Sequence, residues 1–138
     1  MNLTRRDTMA LGLGAAALAL LPIRATAMTE DAIAAFTGGA EVGDSGITLT
    51  APEIAENGNT VPISVDAPGA SEILVLAAGN PLPGVATFKF GPLSGSQSAA
   101  TRIRLAKSQD VIAVAKMADG SFVQASAAVK VTIGGCGG

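Results

Sequence analysis

Histidine, tryptophan and tyrosine are absent from this 138-residue chain, and cysteine occurs once, at Cys136. Without histidine the chain lacks the commonest general base, the commonest metal ligand and the usual partner of a serine or cysteine nucleophile. Self-contained hydrolytic or metal chemistry is therefore hard to build, and no metal or cofactor site is expected. One cysteine closes no intrachain disulfide. The aromatic residues are four phenylalanines, of which Phe88 and Phe90 fall on the inward period of a strand and read as core packing rather than a ligand cage. A basic excess is missing too: three of nine basic residues (Arg5, Arg6, Arg24) and one of eleven acidic residues (Asp7) lie near the start, which leaves six against ten, a balance of −4. Nucleic acid, which needs a basic patch, is an improbable ligand.

Long apolar runs are also missing. The stretch Met9 to Leu21 holds 13 residues, short of the roughly 18–20 that span a bilayer. It follows Arg5-Arg6 and precedes Pro22 and the small-x-small triplet Ala25-Thr26-Ala27, the layout of a twin-arginine export signal cleaved before Met28. Asp7 and Thr8 depart from the bulky apolar residues usual after the arginine pair. The expected organisation is a signal peptide over 1–27, a helix and linker over 28–45, a β-sandwich over 46–133 and an arm over 134–138, with the mature protein in the periplasm. A mature part of 111 residues fits one domain that buries about two thirds of its unfolded surface, so help from a partner is plausible.

Thr29 to Phe36 reads as a short amphipathic helix, with Thr29 as N-cap, Glu30 and Asp31 in the first turn, Ile33 and Phe36 on one face and Gly38-Gly39 beyond. Its role is a lid over a core edge or a hold on a partner. From Ile47 onward the period becomes two. Ile47 and Leu49, then Val61, Ile63 and Val65, predict two paired strands, with Asn57-Gly58 between them as a turn supplying left-handed positions. Ile73 to Ala78 predicts a strand buried on both faces, and Ala86, Phe88 and Phe90 one face of the next. Arg102 and Arg104 alternate with Ile103 and Leu105, which places the arginines on a solvated face or, alternatively, on a docking face for acidic surfaces. Asp119-Gly120 predicts a two-residue hairpin. In the final strand Val123, Ala125, Ala127, Val129, Val131 and Ile133 predict one inward face, with the strand at a sheet margin and free to pair with a β-rich partner. Seven short strands with turn signals between them predict an all-β, immunoglobulin-like antiparallel sandwich lacking the disulfide.

Beyond Ile133 the chain reads Gly134-Gly135-Cys136-Gly137-Gly138. Glycine is the costliest residue to order, so this run predicts a mobile arm, and the three steps from Ile133 to Cys136 extend roughly 10 Å. An unpaired thiol in an exported protein is an oxidation liability unless it has a use. A free thiol has a pKa near 8.5 and is only a few per cent thiolate at pH 7, and a nearby C-terminal carboxylate favours the neutral form. The arm presents sulfur without activating it. Three other readings stay open: a terminal thiocarboxylate on Gly138, a secreted binding sandwich whose Cys136 makes an interchain disulfide, and a catalytic Cys136, for which no base is at hand.

The arginine-pair leader, the stretch Ala51-Pro52-Glu53-Ile54-Ala55-Glu56-Asn57-Gly58-Asn59-Thr60-Val61-Pro62, the segment Thr101-Arg102-Ile103-Arg104-Leu105-Ala106 and the closing Gly134-Gly135-Cys136-Gly137-Gly138 together resemble the SoxY family, carrier subunits of bacterial thiosulfate oxidation. The resemblance runs the length of the chain. It implies a substrate carrier rather than an enzyme, with Cys136 as the covalent attachment point, Gly134, Gly135, Gly137 and Gly138 as a swinging arm, and no cofactor beyond the bound sulfur intermediate. It also implies a heterodimer with SoxZ and transient docking to the SoxAX cytochrome, the SoxB hydrolase and the SoxCD sulfur dehydrogenase.

Overall fold

The computed structural model describes residues 24–133. Helix α1 spans Arg24–Thr37, so Thr29 is an interior position, 4% exposed, rather than the expected N-cap. Thr29, Ala32, Ile33, Phe36 and Thr37 are buried or half-buried while Glu30, Asp31, Ala34 and Ala35 are exposed, the i, i+3, i+4, i+7 stripe of an amphipathic helix. Propensity explains the earlier start: Arg24, Ala25 and Ala27 are helix formers, and nothing before Gly38 interrupts them. The predicted processing site lies within this helix, and residues 1–23 of the predicted signal lie outside the described residues. Gly38 and Gly39, at φ 66° and 83°, end the helix as expected, with the Gly38 N–H donating to the Ala34 carbonyl at 2.8 Å.

Nine strands follow among the described residues: β1 (Val42–Gly43), β2 (Thr48–Thr50), β3 (Ile54–Ala55), β4 (Val61–Asp66), β5 (Ala70–Ala77), β6 (Gly84–Lys89), β7 (Ser98–Ile103), β8 (Gln109–Met117) and β9 (Phe122–Val131). They form two sheets, one ordered β1-β9-β8-β5-β6 with β3 also on β9, the other β2-β4-β7. The seven strands longer than two residues pair antiparallel within each sheet, as the alternating periods predict. The architecture is the expected immunoglobulin-like sandwich. Between the sheets lie Val61, Ile63 and Val65 from β4, Ile73 and Val75 from β5, Val111 and Ala113 from β8, Ile103 and Val129. Each large aliphatic among them contributes roughly 1.5–3 kcal/mol by leaving water.

A second apolar layer lies on the outer face of the larger sheet. Leu76 and Val114 are fully buried there, and Phe122 meets Phe36 of α1 edge-on at 5.8 Å and 71°, a favoured aromatic geometry. The helix is thus a cover for this sheet. The run from Ile73 to Ala77 is buried on both faces for that reason, with the core behind it and the second layer in front.

Several expectations need correction. Strand β9 is not a free margin: it pairs with β8 along one side, and on the other it is capped in parallel at both ends, by β1 at Phe122–Val123 and by β3 at Lys130–Val131. Ile133 does not continue the inward face but is 67% exposed, because the ladder ends at Val131. The Asn57-Gly58 turn uses no left-handed residue. It closes through the Thr60 N–H on the Asn57 carbonyl and the Asn59 N–H on the Asn57 side chain at 3.0 Å, an Asx turn. Between Asp119 and Gly120 the hairpin is longer than two residues: Gly120 N–H meets the Met117 carbonyl, Met117 N–H meets the Ser121 carbonyl, and Gly120 sits at φ 86°, a three-residue connection ending in a left-handed glycine.

The path from β2 to β3 brings a second segment alongside the end of β9. Pro52 follows β2, and Pro62 lies in β4 beyond the three residues, Ser64 to Asp66, that β2 pairs with. Neither proline can donate to a ladder, so β2 cannot continue along β4. The chain crosses instead to the other sheet, where Ile54 and Ala55 pair with the last residues of β9.

Candidate functional site

Cys136 and the glycines Gly134, Gly135, Gly137 and Gly138 lie outside the described residues, which end at Ile133. Past Val129 the pairing of β9 with β8 stops. The next residues are held from the other side. Lys130 N–H donates to the Glu53 carbonyl at 2.8 Å, Thr132 N–H to the Ala55 carbonyl at 3.0 Å, and Gly58 N–H to the Ile133 carbonyl at 2.8 Å. The Thr132 hydroxyl donates to the Glu56 carbonyl at 3.1 Å. Ser108 closes the flank, its Oγ accepting from Val131 N–H at 2.8 Å and donating to the Val131 carbonyl at 3.3 Å.

The segment that holds the chain end is itself held. Leu105 N–H donates to the Gly58 carbonyl at 2.7 Å, and the Leu105 side chain is fully buried. Asn80, 7% exposed, donates through Nδ2 to the Arg104 carbonyl at 2.9 Å and accepts at Oδ1 from Ala106 N–H at 2.9 Å and Gln109 Nε2 at 2.8 Å. Gln109 Oε1 in turn accepts from Gly79 N–H at 2.8 Å. Gly79 must stay a glycine here, since a Cβ would stand 2.8 Å from the Gln109 Cβ. Two of the segments singled out in the sequence, Ala51–Pro62 and Thr101–Ala106, are thereby brought to one pole of the sandwich, beside Thr132 and Ile133. Sequence reasoning missed the hub that joins them. The signal for it was Gly79-Asn80-Pro81, which reads as a turn, and nothing local shows that the Asn80 amide reaches residues 24 and more positions away.

Arg102 and Arg104 are exposed, while Ile103 and Leu105 are buried, as the alternation predicts. The ion pair seen among the described residues, Lys89 Nζ to Glu72 Oε1 at 3.7 Å, involves neither arginine, which fits a solvated face. Ile54 and Ile133, 58% and 67% exposed, leave apolar side chains in solvent near the chain end. Asp119, at the opposite pole, has its carboxyl held below the usual aspartate range by hydrogen bonds from the Ser121 hydroxyl at 2.6 Å and the Ser121 N–H at 2.9 Å. Among the described residues no cluster of His, Cys, Asp or Glu could hold a metal ion, and no helix is long and apolar enough to cross a membrane.

An immunoglobulin-like sandwich whose last strand is tied, past its main ladder, to the segment from Glu53 to Gly58 defines the class of protein, a small two-sheet β-domain. The family described as sulfur oxidation protein SoxY matches residues 33–136, and the chain belongs to that family. The match extends to the single cysteine. Among solved structures, the sulfur carrier protein SoxY from Chlorobium limicola f. thiosulfatophilum is similar at 37% identity and a TM-score of 0.68, over 78% of this chain and 98% of that one. A superoxide reductase (neelaredoxin) from Ignicoccus hospitalis shares the fold alone, at 17% identity and a TM-score of 0.55 over 63% of this chain and 80% of that one. A putative superoxide reductase from Thermotoga maritima does so at 19% identity and 0.53, over 70% and 89%. No curated protein matches the chain.

Proposed function

We propose that this chain carries sulfur intermediates covalently on Cys136 during periplasmic thiosulfate oxidation and presents them to successive enzymes. The observation that carries the reading is the family match, which ends at Cys136, three residues beyond Ile133, whose carbonyl accepts from the Gly58 N–H. The carrier named among the similar structures supports the same chemistry. The body supplies a rigid mount and the glycines supply reach, while the reacting groups belong to the partners.

Thiosulfate joins the Cys136 thiol to give a Cys–S–S–SO3− adduct, one proton and two electrons, the electrons passing to the haem of a SoxAX-type cytochrome. Water then cleaves the S–SO3 bond at a SoxB-type hydrolase, releasing sulfate and two protons and leaving a Cys–S–S− persulfide, on which a SoxCD-type dehydrogenase acts where one is present. Heterodimerisation with SoxZ and export through the arginine pair Arg5-Arg6 complete the proposal. A thiol that is mostly neutral at pH 7 stays quiet between visits and is activated inside each partner.

Mass spectrometry of the protein purified after exposure to thiosulfate and its oxidising partner tests this. Thiosulfonate or polysulfide adducts on Cys136 are the expected result. A thiocarboxylate at Gly138, or nothing but a disulfide-linked dimer, would overturn it. Cys136→Ser keeps size and replaces the nucleophile with a hydroxyl of far higher pKa, so thiosulfate-dependent turnover of the reconstituted system should disappear while the fold survives.

A further inference from the structure

We infer that Thr132 and Ser108, acting with the Ala55–Gly58 segment, form a clip that sets the pivot of the arm at Ile133, and hence the radius over which Cys136 moves. The inference deepens the carrier reading and rests on it for its purpose. Its geometry stands by itself. The main ladder of β9 on β8 ends at the Gln109–Val129 pair, so the four residues from Lys130 to Ile133 are not held by that ladder. They are held by the Glu53 and Ala55 carbonyls, the Gly58 N–H, the Thr132 hydroxyl on Glu56 and the Ser108 hydroxyl on Val131. The clip side is fixed from behind by Leu105 on Gly58 and by the Asx turn at Asn57.

With the clip shut, three steps separate Cys136 from its pivot, a span of roughly 10 Å. With the clip open, the pivot retreats to Val129 and seven steps are free, roughly 23–25 Å. Effective concentration at a docked site falls about as the −3/2 power of tether length, so the change from three steps to seven costs roughly three- to fourfold. Thr132 and Ser108 are positioning residues: neither touches the sulfur, and each acts through the backbone of residues 131–133.

The lone cysteine makes the test simple, because a nitroxide label attached to the full chain goes to Cys136 alone. Thr132→Val, Ser108→Ala and the double variant remove the two side-chain tethers at exposed positions, while Thr132→Ser keeps a hydroxyl. Backbone amide exchange at Gly58 should quicken roughly three- to tenfold in Thr132→Val, in keeping with one lost hydrogen bond, and more in the double variant. The Ala113 amide and the melting temperature should stay unchanged. The nitroxide spectrum should narrow in the double variant and match the parent protein in Thr132→Ser. Equal exchange at Gly58 and Gly134 in the parent, or a double variant in which either the Gly58 exchange or the nitroxide spectrum is unmoved, would overturn the clip. Neither readout depends on sulfur carriage, so failure of the carrier reading registers in the adduct experiment and not here.

Discussion

Replacing Asn80 with alanine should be among the most damaging single changes in this protein although it removes no aliphatic core. The side chain is 7% exposed and makes three hydrogen bonds, one to the Arg104 carbonyl, one from Ala106 N–H and one from Gln109 Nε2. Gln109 keeps a second acceptor in the Lys107 carbonyl, so its loss is partial. The Arg104 carbonyl and Ala106 N–H lose the partners seen in the structure. Taking about 1 kcal/mol for each of the three hydrogen bonds, at part-buried positions that water can reach, the expected cost is about 3 kcal/mol. That is a large share of the 5–15 kcal/mol by which a domain of this size is stable. At roughly 4 °C per kcal/mol, the melting temperature should fall by about 12 °C. With no tryptophan or tyrosine in the chain, intrinsic fluorescence is a poor probe, and urea unfolding followed by far-ultraviolet circular dichroism is the suitable assay. The midpoint should drop at constant slope. Arg104→Ala, an exposed neighbour, serves as control and should stay within about 0.5 kcal/mol. A loss below about 1 kcal/mol for Asn80→Ala would refute the view that this amide joins the segments of the pole.

Three further outcomes are expected. Gly135→Val and Gly137→Val should leave thermal stability unchanged yet slow sulfur loading and sulfate release by orders of magnitude, with serine intermediate, if the arm threads narrow channels; full activity of both valine variants, read in the reconstituted system, would show the glycines to be only a tether. Replacing Arg5 and Arg6 with lysine should strand this chain and its docked partner together in the cytoplasm, and cell fractionation that finds the partner alone in the periplasm would refute shared export. Asp119 has its pKa lowered from 3.8 by hydrogen bonds from Ser121, so its contribution to stability is present above that value and is lost as pH falls through the lower folded-state value; Asp119→Ala should flatten the fall in urea midpoint below about pH 4, and an unchanged slope of midpoint against pH would contradict this.

The sandwich was legible because its strands alternate. Val61, Ile63 and Val65 announce an inward face, Ile103 and Leu105 do the same between two arginines, and in both places burial follows the period. What local pattern does not carry is the identity of a strand's neighbours. Nothing in Val123 to Val131 shows that β1 and β3 close its outer side in parallel, since those strands are two residues long and their pairing is long-range. The helix start failed for a related reason: Thr29 has the chemistry of a cap, but burial within the helix stripe uses it otherwise. Ile133 kept the parity of an inward residue and lost the sheet that would have covered it. Cys136 and its glycines stand out from composition alone, whereas the bonds that hold Lys130 to Ile133 come largely from backbone groups of Glu53, Ala55 and Gly58, which no side-chain pattern encodes.

The way β9 is bonded has a mechanical consequence. Its hydrogen bonds to β8 run across the strand through eight paired positions, from Lys116–Phe122 to Gln109–Val129, and ladder bonds lie perpendicular to the strand axis. Tension on the chain end directed along β9 therefore loads these bonds side by side in shear, and none can fail until many fail together. The same tension meets the bonds at Thr132 and Ile133 first. This outer latch is therefore loaded before the eight-position ladder behind it.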